Sequence, residues 1–198
     1  AIHNAALQPE RAKNYEIGYQ DVLFKKLSLK AALFYRDIDD YILQVTVPDP
    51  ANPRRTLYQN QNVGHVEQYG FEIDLAAPIL KTLDAGVNYT YLDNSNRTNN
   101  DKLTDIPEHK LFLYAKYTPM RNLTFLADLE MDSKRWSSTD GVRLAKGYTV
   151  ANAKATYEII KGLQVEGGVR NLFDKDYELN EGYPMTGRTY FANVSYRF

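Results

Sequence analysis

The sequence predicts an all-β fold, the wall of an antiparallel transmembrane β-barrel, from three observations. Apolar and polar residues alternate with a period of two in nine segments, and no helical period interrupts them. Short and long connections alternate strictly between these segments, with four of each kind. The apolar registers contain no Asp, Glu, Lys or Arg, although 25% of the chain is charged. These features describe strands with one apolar face and with tight turns at one end only.

The nine predicted strands are defined by their apolar registers. These registers lie at residues 15–19, 27–35, 69–75, 83–91, 111–117, 123–131, 149–157, 163–169 and 190–198. Short connections are predicted at residues 24–26, around Pro78, at 118–122 and at 160–162. Polar loops are predicted at residues 1–11, 47–55, 93–107, 133–147 and 174–187. Three prolines in the segment 47–55 indicate that it is loop rather than strand.

A lipid-facing surface explains why charge is excluded from one register. Lys or Arg at the bilayer midplane of a barrel costs roughly 2–4 kcal/mol. The core of a soluble β-sandwich also excludes charge, but it does not require long loops at one end and tight turns at the other. Outer-membrane barrels have short periplasmic turns and long extracellular loops. A barrel is therefore the favoured interpretation, and a soluble β-sandwich binding module is an alternative.

The composition agrees with a membrane barrel and excludes several functions. Sixteen tyrosines stand against eight phenylalanines and one tryptophan, and tyrosine suits a membrane interface. Such a belt is predicted from the aromatic residues near strand ends in the apolar register: Tyr15, Tyr35, Tyr89, Tyr117, Tyr157 and Tyr196. A net charge of −1 provides no basic surface for nucleic acid. The absence of cysteine excludes disulfides, thiolate metal sites and cysteine nucleophiles.

An odd number of strands cannot close an antiparallel barrel, because its first and last strands run in the same direction. Bacterial single-chain barrels have even strand numbers. We therefore expect further strands before Ala1, where no signal peptide is visible. The last strand follows a long loop, so it is predicted to run inward and to place Phe198 on the periplasmic side. A small structural or adhesive outer-membrane barrel that needs one more strand is a second alternative.

Two segments resemble a known family. Residues 169–198, VRNLFDKDYELNEGYPMTGRTYFANVSYRF, combine N-L-F-D-K-x-Y, G-Y-x-x-x-G-R and a terminal aromatic strand. Residues 7–20, LQPERAKNYEIGYQ, match L-x-P-E-x-x-x-x-Y-E-x-G. Both resemble TonB-dependent outer-membrane receptors, and the resemblance covers the whole chain in order. It implies a 22-stranded barrel with a plugged lumen, of which residues 1–198 are the C-terminal section, about the last nine strands.

The resemblance also implies a function and a set of partners. Such receptors import scarce ligands across the bacterial outer membrane, typically ferric siderophores, haem or cobalamin, with energy from the TonB complex. The chain is then expected to be part of a transporter rather than an enzyme, with no cofactor. The plug domain, the TonB-contacting segment and the earlier strands would lie outside it. Lipopolysaccharide is a further expected partner. The loop GYPMTGR, residues 182–188, is similar to the cobalamin and catecholate-siderophore branches.

The end of the chain is implied to carry an assembly signal. In this family the final strand pairs with the first strand of the barrel, and the barrel-assembly machinery reads the terminal aromatic residue. Tyr196 and Phe198 occupy the corresponding positions of this chain. The resemblance therefore assigns them to assembly rather than to ligand binding.

Five residues in the long loops are candidate ligand contacts. Arg54 and Arg55, with Tyr58 nearby, suit an anionic ligand, although lipopolysaccharide phosphates or solvent satisfy the same arginines. Trp136 and Arg143 are similarly placed in a later loop. A Trp near a strand end is also typical of a membrane-interface anchor, so this alternative stays open.

The sequence indicates no catalytic or metal site. His3, His65 and His109 are scattered and lack the spacing of metal ligands. Asp105 and His109 flank the entry to a strand, and we interpret them as a loop carboxylate and a solvated histidine rather than a protease pair.

The segment NLFDKDY contains three residues with the chemistry of cation ligands, Asn171, Asp174 and Asp176. Asn and Asp side chains also hydrogen-bond the local backbone and terminate strands. We interpret these three residues in that second way.

Overall fold

A computed structural model describes residues 2–99 and 101–198, which form strands and connections. Ala1 and Asn100, which fall in the predicted loops 1–11 and 93–107, lie outside the described residues. The described strands are β1 Arg11–Leu23, β2 Leu27–Asp39, β3 Ile42–Asp49, β4 Asn52–Asn62, β5 Val66–Leu80, β6 Leu83–Asn96, β7 His109–Met120, β8 Leu123–Asp132, β9 Arg135–Trp136, β10 Leu144–Ala145, β11 Tyr148–Ile160, β12 Leu163–Arg170, β13 Glu178–Asn180, β14 Tyr183–Pro184 and β15 Thr189–Tyr196. The described residues contain no helix that is long and apolar enough to span a membrane.

Nine of the strands in residues 2–99 and 101–198 form one antiparallel sheet, in the order β1-β2-β5-β6-β7-β8-β11-β12-β15. Eight of the nine predicted registers lie wholly within one of these strands. The last register, 190–198, extends two residues beyond the end of β15. Short connections lie at one end of the sheet and long connections at the other. The prediction of nine antiparallel strands with alternating connections is therefore confirmed.

The arrangement of the sheet excludes a β-sandwich, which needs two facing sheets. The remaining strands that the structure describes form three two-stranded sheets in the long connections, β3-β4, β9-β10 and β13-β14. Within the described part of the chain, β1 and β15 lie at opposite edges of the large sheet and do not pair with each other. This is the result expected for an odd number of strands.

The part of the chain that the structure describes does not cover the apolar face of the sheet. Ile17 is 71% exposed and Leu33 is 60% exposed. A small buried cluster lies instead at the long-loop end of the sheet, where Ile38, Val66 and Leu103 pack together. Exposing apolar area to water costs roughly 25 cal/mol per Å². A sheet with such an open apolar face therefore requires an apolar environment outside the chain.

The polar face places opposite charges next to each other. Lys30 on β2 pairs with Asp74 on β5. Lys154 Nζ on β11 lies 2.8 Å from Glu166 Oε2 on β12. Opposite charges on neighbouring strands stabilise a sheet, whereas like charges in those positions destabilise it. The register therefore separates a charge-complementary face from an apolar one.

Aromatic side chains lie at both ends of the apolar face. At the long-loop end, the rings of Tyr15 and Tyr35 are 6.3 Å apart between centroids. At the short-turn end, the rings of Tyr117 and Phe125 are 6.4 Å apart. Two aromatic belts on either side of an apolar band are typical of a transmembrane barrel wall.

The first short connection, residues 24–26, is a tight turn after β1. Phe24 and Lys25 have positive φ angles of 52° and 59°, and Lys26 N donates to Leu23 O at 3.1 Å. Positive φ at both central residues is typical of a type I′ turn, whose twist matches that of paired strands. The tight turn predicted at residues 24–26 is confirmed.

The prediction that residues 47–55 are loop is wrong. They belong to a hairpin in which β3 and β4 pair with each other, with Pro48 opposite Thr56. Pro48 lies in β3 and Pro53 in β4, and proline is tolerated in such edge strands because its missing N–H breaks no ladder bond on an unpaired side. Pro48 and Pro53 are therefore compatible with strands in this position, and Pro50 lies in the turn between β3 and β4.

Strands also extend beyond the predicted registers. β6 continues to Asn96, although residues 93–96 are predicted as loop, because its polar end pairs with the start of β5 at Val66. Pro78, predicted in a connection, pairs with Asp84 beside a bulge near the end of β5. Backbone pairing continues here without an apolar register, so periodicity alone underestimates strand length.

Leu113 provides a test of the apolar face. It lies in the middle of β7 and pairs with Val87 and Leu129 on the neighbouring strands. We expect Leu113→Lys to reduce the free energy of unfolding in lipid bilayers by roughly 2–4 kcal/mol, because the charge must enter the apolar layer. Denaturant titration in liposomes measures this loss. The matched control is Asn88→Lys on the polar face of β6, and equal losses in the two variants would contradict a lipid-facing surface.

Candidate functional site

The long connections after β6, β8 and β12 are joined by hydrogen bonds. We call them the outer-loop cluster, defined as residues 101–108, 133–147 and 171–188. Between the first two segments, Asp105 N donates to Trp136 O at 2.8 Å and Lys102 N donates to Thr139 O at 2.7 Å. Between the first and the third, Asn180 Nδ2 donates to Asp105 Oδ1 at 2.8 Å. Three segments that are distant in sequence therefore form one surface.

Arg143 holds the second and third segments of the cluster together. The guanidinium of Arg143 donates to the main-chain carbonyl of Glu181. The main-chain N–H of Arg143 donates to Ser138 Oγ at 3.0 Å. Glu181 N donates to Ser137 Oγ at 2.9 Å, and the Glu181 carboxylate accepts from Leu144 N. Arg143, a predicted ligand contact, is thus half-buried and engaged in contacts within the protein.

Trp136 lines a cavity of about 510 Å³ between the first two segments and the end of β6. Its main chain pairs with Leu144 in the β9-β10 sheet. Lys102 Nζ lies 5.7 Å from the centre of the indole ring, within the range of a cation–π interaction. These contacts favour a place in the cavity wall over the membrane-interface anchor.

The cavity wall combines an aromatic face with charges of both signs. The cationic residues that line the cavity are Arg97, Lys102, Lys134 and Arg135, and the anionic ones are Asp93, Asp101 and Glu108. Small-molecule sites typically have volumes of about 300–1,000 Å³ with a few convergent polar groups. The cavity has the size and the donors for charge-assisted hydrogen bonds to a polar ligand.

A buried ion pair lies beside this cavity. Arg135 Nη2 is 2.6 Å from Asp132 Oδ2, and the two side chains are 7% and 5% exposed. The Tyr148 hydroxyl is 3.1 Å from both Asp132 Oδ2 and Glu130 Oε1, and its ring packs 4.5 Å from that of Tyr177. No pattern in the sequence marks this network, because Asp132 ends β8 and Tyr148 begins β11. Strand pairing alone brings them together.

Two groups in the cluster have pKa values shifted by their surroundings. Hydrogen bonds from the Ser138 hydroxyl and from Val142 N lower the pKa of the Asp140 carboxyl. Asp140 is therefore ionised at neutral pH and keeps accepting both bonds. Burial, reinforced by the charge of Glu130, raises the pKa of Tyr177. This phenol stays neutral, so neither group changes its charge near pH 7.

The five predicted ligand contacts form two separate groups. Arg54, Arg55 and Tyr58 lie on β4 of the hairpin, and all three are exposed. Trp136 and Arg143 lie in the outer-loop cluster. Among the residues described, no hydrogen bond joins the first group to the second. The structure therefore does not assemble the five into one site.

Asp105 and His109 do not pair. Asp105 accepts from Asn180, as described above, whereas His109 Nδ1 lies 2.8 Å from the hydroxyl of Tyr89. The group with the spacing of metal ligands contains a different histidine: His65 lies close to Asp37 and Asp39, outside the outer-loop cluster.

Asn171 and Asp174 bind the local backbone. Lys175 N donates to Asn171 Oδ1 at 2.7 Å, and Asn171 Nδ2 donates to Lys175 O at 2.9 Å. Asp174 Oδ1 accepts from Arg188 N at 2.6 Å. These bonds support the interpretation of the two residues as strand-terminating rather than cation-binding.

The two predicted assembly residues form one aromatic pair. Tyr196 is the last residue of β15, and the ring of Phe198 packs against it edge-on with centroids 5.1 Å apart. Phe198 is otherwise fully exposed. Arg197 N donates to Gly162 O at 2.9 Å, which places the pair beside the short turn between β11 and β12.

Known proteins similar to this chain include the following three. The vitamin B12 transporter BtuB of Photobacterium profundum is 31% identical over 202 residues, which cover 98% of this chain and 31% of that protein. The ferric-catecholate import receptor Fiu of E. coli K12, in a closed form, has a TM-score of 0.73 at 26% identity, covering 98% of this chain and 29% of that one. The copper transporter OprC has a TM-score of 0.85 at 19% identity over 98% and 33% of the two chains, a likeness of fold alone.

The chain spans about a third of the length of these proteins. The family model described as "TonB dependent receptor-like, beta-barrel" matches residues 1–172, which is most of the chain. The nine-stranded sheet within the described residues, with its alternating connections, agrees with that match. The chain therefore belongs to the β-barrel family of TonB-dependent receptors.

Proposed function

We propose that this chain forms part of the wall and the extracellular loops of a TonB-energised outer-membrane importer. The observation that carries the proposal is the cavity of the outer-loop cluster, which lies at the long-loop end of a barrel sheet. The long loops face the outside of the cell, and Phe198 lies on the periplasmic side. Ligand is captured at the outer loops and passes through the lumen when the plug is remodelled. The protein is a transporter and not an enzyme.

The domain assignment follows from the same proposal. Residues 1–198 supply the C-terminal section, about the last nine of 22 strands, and the plug domain and earlier strands are separate from it. This agrees with the share of the relatives that the chain spans, 29–33%. It also gives the two edge strands, β1 and β15, neighbours to pair with, since unpaired sheet edges promote aggregation.

The proposed partners act at different levels of the barrel. The TonB complex contacts the N-terminal part of the receptor, which is not in this chain. The barrel-assembly machinery reads Tyr196 and Phe198 at the periplasmic end. Lipopolysaccharide surrounds the outer end of the apolar face, and its phosphates are alternative partners for Arg54 and Arg55. Nucleic acid is not among the proposed partners.

The proposed ligand is a ferric siderophore, cobalamin or haem. The names of the similar proteins BtuB and Fiu support the first two, and the mixed charge and indole of the cavity suit a polar ligand with aromatic groups. The test is growth of a deletion strain on defined iron or cobalamin sources, with and without the restored gene. Growth that depends on the gene for one source identifies the ligand, and independence from the gene for every source overturns the proposal.

Trp136 is the residue expected to contribute most to ligand binding at the cavity. Removing a central aromatic contact typically costs about 2 kcal/mol or more of binding free energy. We therefore expect Trp136→Ala to weaken binding of the identified ligand by at least about tenfold. The control is Tyr183→Ala in β14, an exposed aromatic residue that does not line the cavity. Equal affinities for the Trp136 variant and the native receptor would show that the cavity is not the binding site.

A further inference from the structure

Asp37, Asp39 and His65 converge at the long-loop ends of β2 and β5, away from the outer-loop cavity. The two aspartates are two residues apart on β2, so their side chains lie on the same face of the strand. Ile38 pairs with Val66 at the start of β5, which brings the preceding residue, His65, beside Asp39. The convergence is therefore a result of strand register.

The distances within this group suit a metal ion. His65 Nδ1 lies 3.0 Å from Asp39 Oδ1 and 3.4 Å from Asp37 Oδ1, and the three donor atoms lie within 4.8 Å of one another. Bonds of about 2.0–2.2 Å to zinc place neighbouring ligand atoms about 2.8–3.6 Å apart in tetrahedral or octahedral geometry. Both distances from the histidine fall within that range.

An independent observation concerns Asp37. Its Oδ1 atom is buried and accepts no hydrogen bond from any residue that the structure describes. Lys13 Nζ lies 3.9 Å from the other oxygen, Oδ2. The contact of this oxygen with His65 Nδ1, at 3.4 Å, is not a hydrogen bond. A buried carboxylate oxygen that accepts no hydrogen bond is costly, because its lost hydration is only partly compensated. A cation bound between Asp37 and His65 satisfies this oxygen.

The backbone around His65 fixes the position of the imidazole. His65 N donates to Thr98 Oγ1 at 2.7 Å, and His65 O accepts from Arg97 N at 2.8 Å. Gly64 has a φ of 103°, and a Cβ there would lie 2.6 Å from Thr98 Cβ. The loop is therefore held closely against Thr98, and a fixed ligand lowers the entropy lost on metal binding.

We propose that Asp37, Asp39 and His65 form a binding site for one divalent first-row metal ion of the zinc or manganese type. One imidazole nitrogen and two carboxylate oxygens suit such ions, whereas Ca²⁺ and Mg²⁺ prefer oxygen ligands alone. Water completes the coordination. The bound ion ties the end of β2 to the start of β5 and so closes the connection that carries the β3-β4 hairpin. This site goes beyond the proposed import function and does not depend on it.

The experiment is calorimetric titration of the whole receptor with ZnCl₂ in detergent after treatment with a chelator. We expect one saturable zinc site that excess Ca²⁺ does not displace. The variants His65→Gln and Asp39→Asn are expected to weaken it by at least about tenfold, because each removes a ligand. His109→Gln is the matched control, since His109 lies 3.9 Å from a single carboxylate, that of Glu108. The His109→Gln variant should bind zinc with the affinity of the native receptor.

Two results overturn the proposal. One is the absence of saturable zinc binding by the native receptor, and the other is binding that survives in both His65→Gln and Asp39→Asn. The Asp39 side chain is 58% exposed, so its substitution removes no packing and the variant remains a test if the His65 variant misfolds. Neither measurement involves the imported ligand, so failure here is distinguishable from failure of the import proposal.

Discussion

Phe198→Asp is expected to remove most of the receptor from the cell surface while leaving the ligand affinity of the inserted fraction unchanged. In the structure Phe198 is fully exposed and contacts only the ring of Tyr196 among aromatic residues described. The substitution therefore removes little packing from the folded sheet. The large loss is expected because the aspartate places a charge where the proposed assembly signal presents an aromatic ring. Surface labelling of intact cells measures the effect.

The control for this experiment makes the same chemical change elsewhere. Phe173 is also strongly exposed, at 76%, but lies in the long connection after β12, at the opposite end of the sheet. Phe173→Asp should reach the surface at the native level. Normal surface levels of the Phe198 variant, or equal losses in both variants, would mean that Phe198 is not an assembly signal.

Arg135→Met is expected to destabilise the receptor by roughly 3–5 kcal/mol, because it leaves a buried carboxylate without its cation. The side chain of Asp132 is 5% exposed, and its one remaining side-chain hydrogen bond within the described part of the chain would come from the hydroxyl of Tyr148. The loss should concentrate in the loop 133–147, which the ion pair anchors to the sheet. Hydrogen exchange of that loop and denaturant unfolding together measure it.

The matched control breaks a more exposed ion pair on the same face of the sheet. Lys154 and Glu166 are 37% and 25% exposed, so solvent screens their attraction and Lys154→Met should cost less than about 1 kcal/mol. A double variant, Asp132→Leu with Arg135→Met, should recover part of the loss, since no unpaired charge remains. A single Arg135 variant as stable as the Lys154 variant would contradict an anchoring role.

The sheet could be predicted from the sequence because one face must exclude charge. In β7, Leu111, Leu113 and Ala115 face one side, and Lys110 and Lys116 face the other. The apolar registers predicted for the other strands of the large sheet are likewise free of Asp, Glu, Lys and Arg, and the alternation of short and long connections is observed. The period of two therefore indicates which side chains face the apolar environment and which face the polar one.

Strand ends and hairpins in the loops could not be predicted in this way. Where a strand passes beyond the apolar band, both of its faces are polar, and the alternation disappears although the backbone pairing continues. Residues 93–96 of β6 and the proline-containing β3-β4 hairpin are examples. Their strands depend on backbone hydrogen bonds, which leave no period in the sequence.

The candidate site was predictable only in part. The position of Trp136 in a long loop follows from the pattern of connections, but its cavity depends on contacts between loops far apart in sequence. Arg143 has a loop-joining role that no single segment reveals. The groups Asp132–Arg135 and Asp37–Asp39–His65 depend on the register between neighbouring strands. The register between two strands is known only once the strands are paired, and it cannot be read from the spacing of residues or from composition.

The most direct test of the barrel assignment is the environment of successive residues along one strand. The chain contains no cysteine, so single cysteines at positions 110–117 of β7 can carry spin labels in liposomes, with other cysteines of the receptor removed. Odd positions should be accessible to oxygen in the lipid, and even positions to a water-soluble nickel chelate. Accessibility that does not alternate, or that alternates in the opposite sense, would contradict the assignment of the apolar face to lipid.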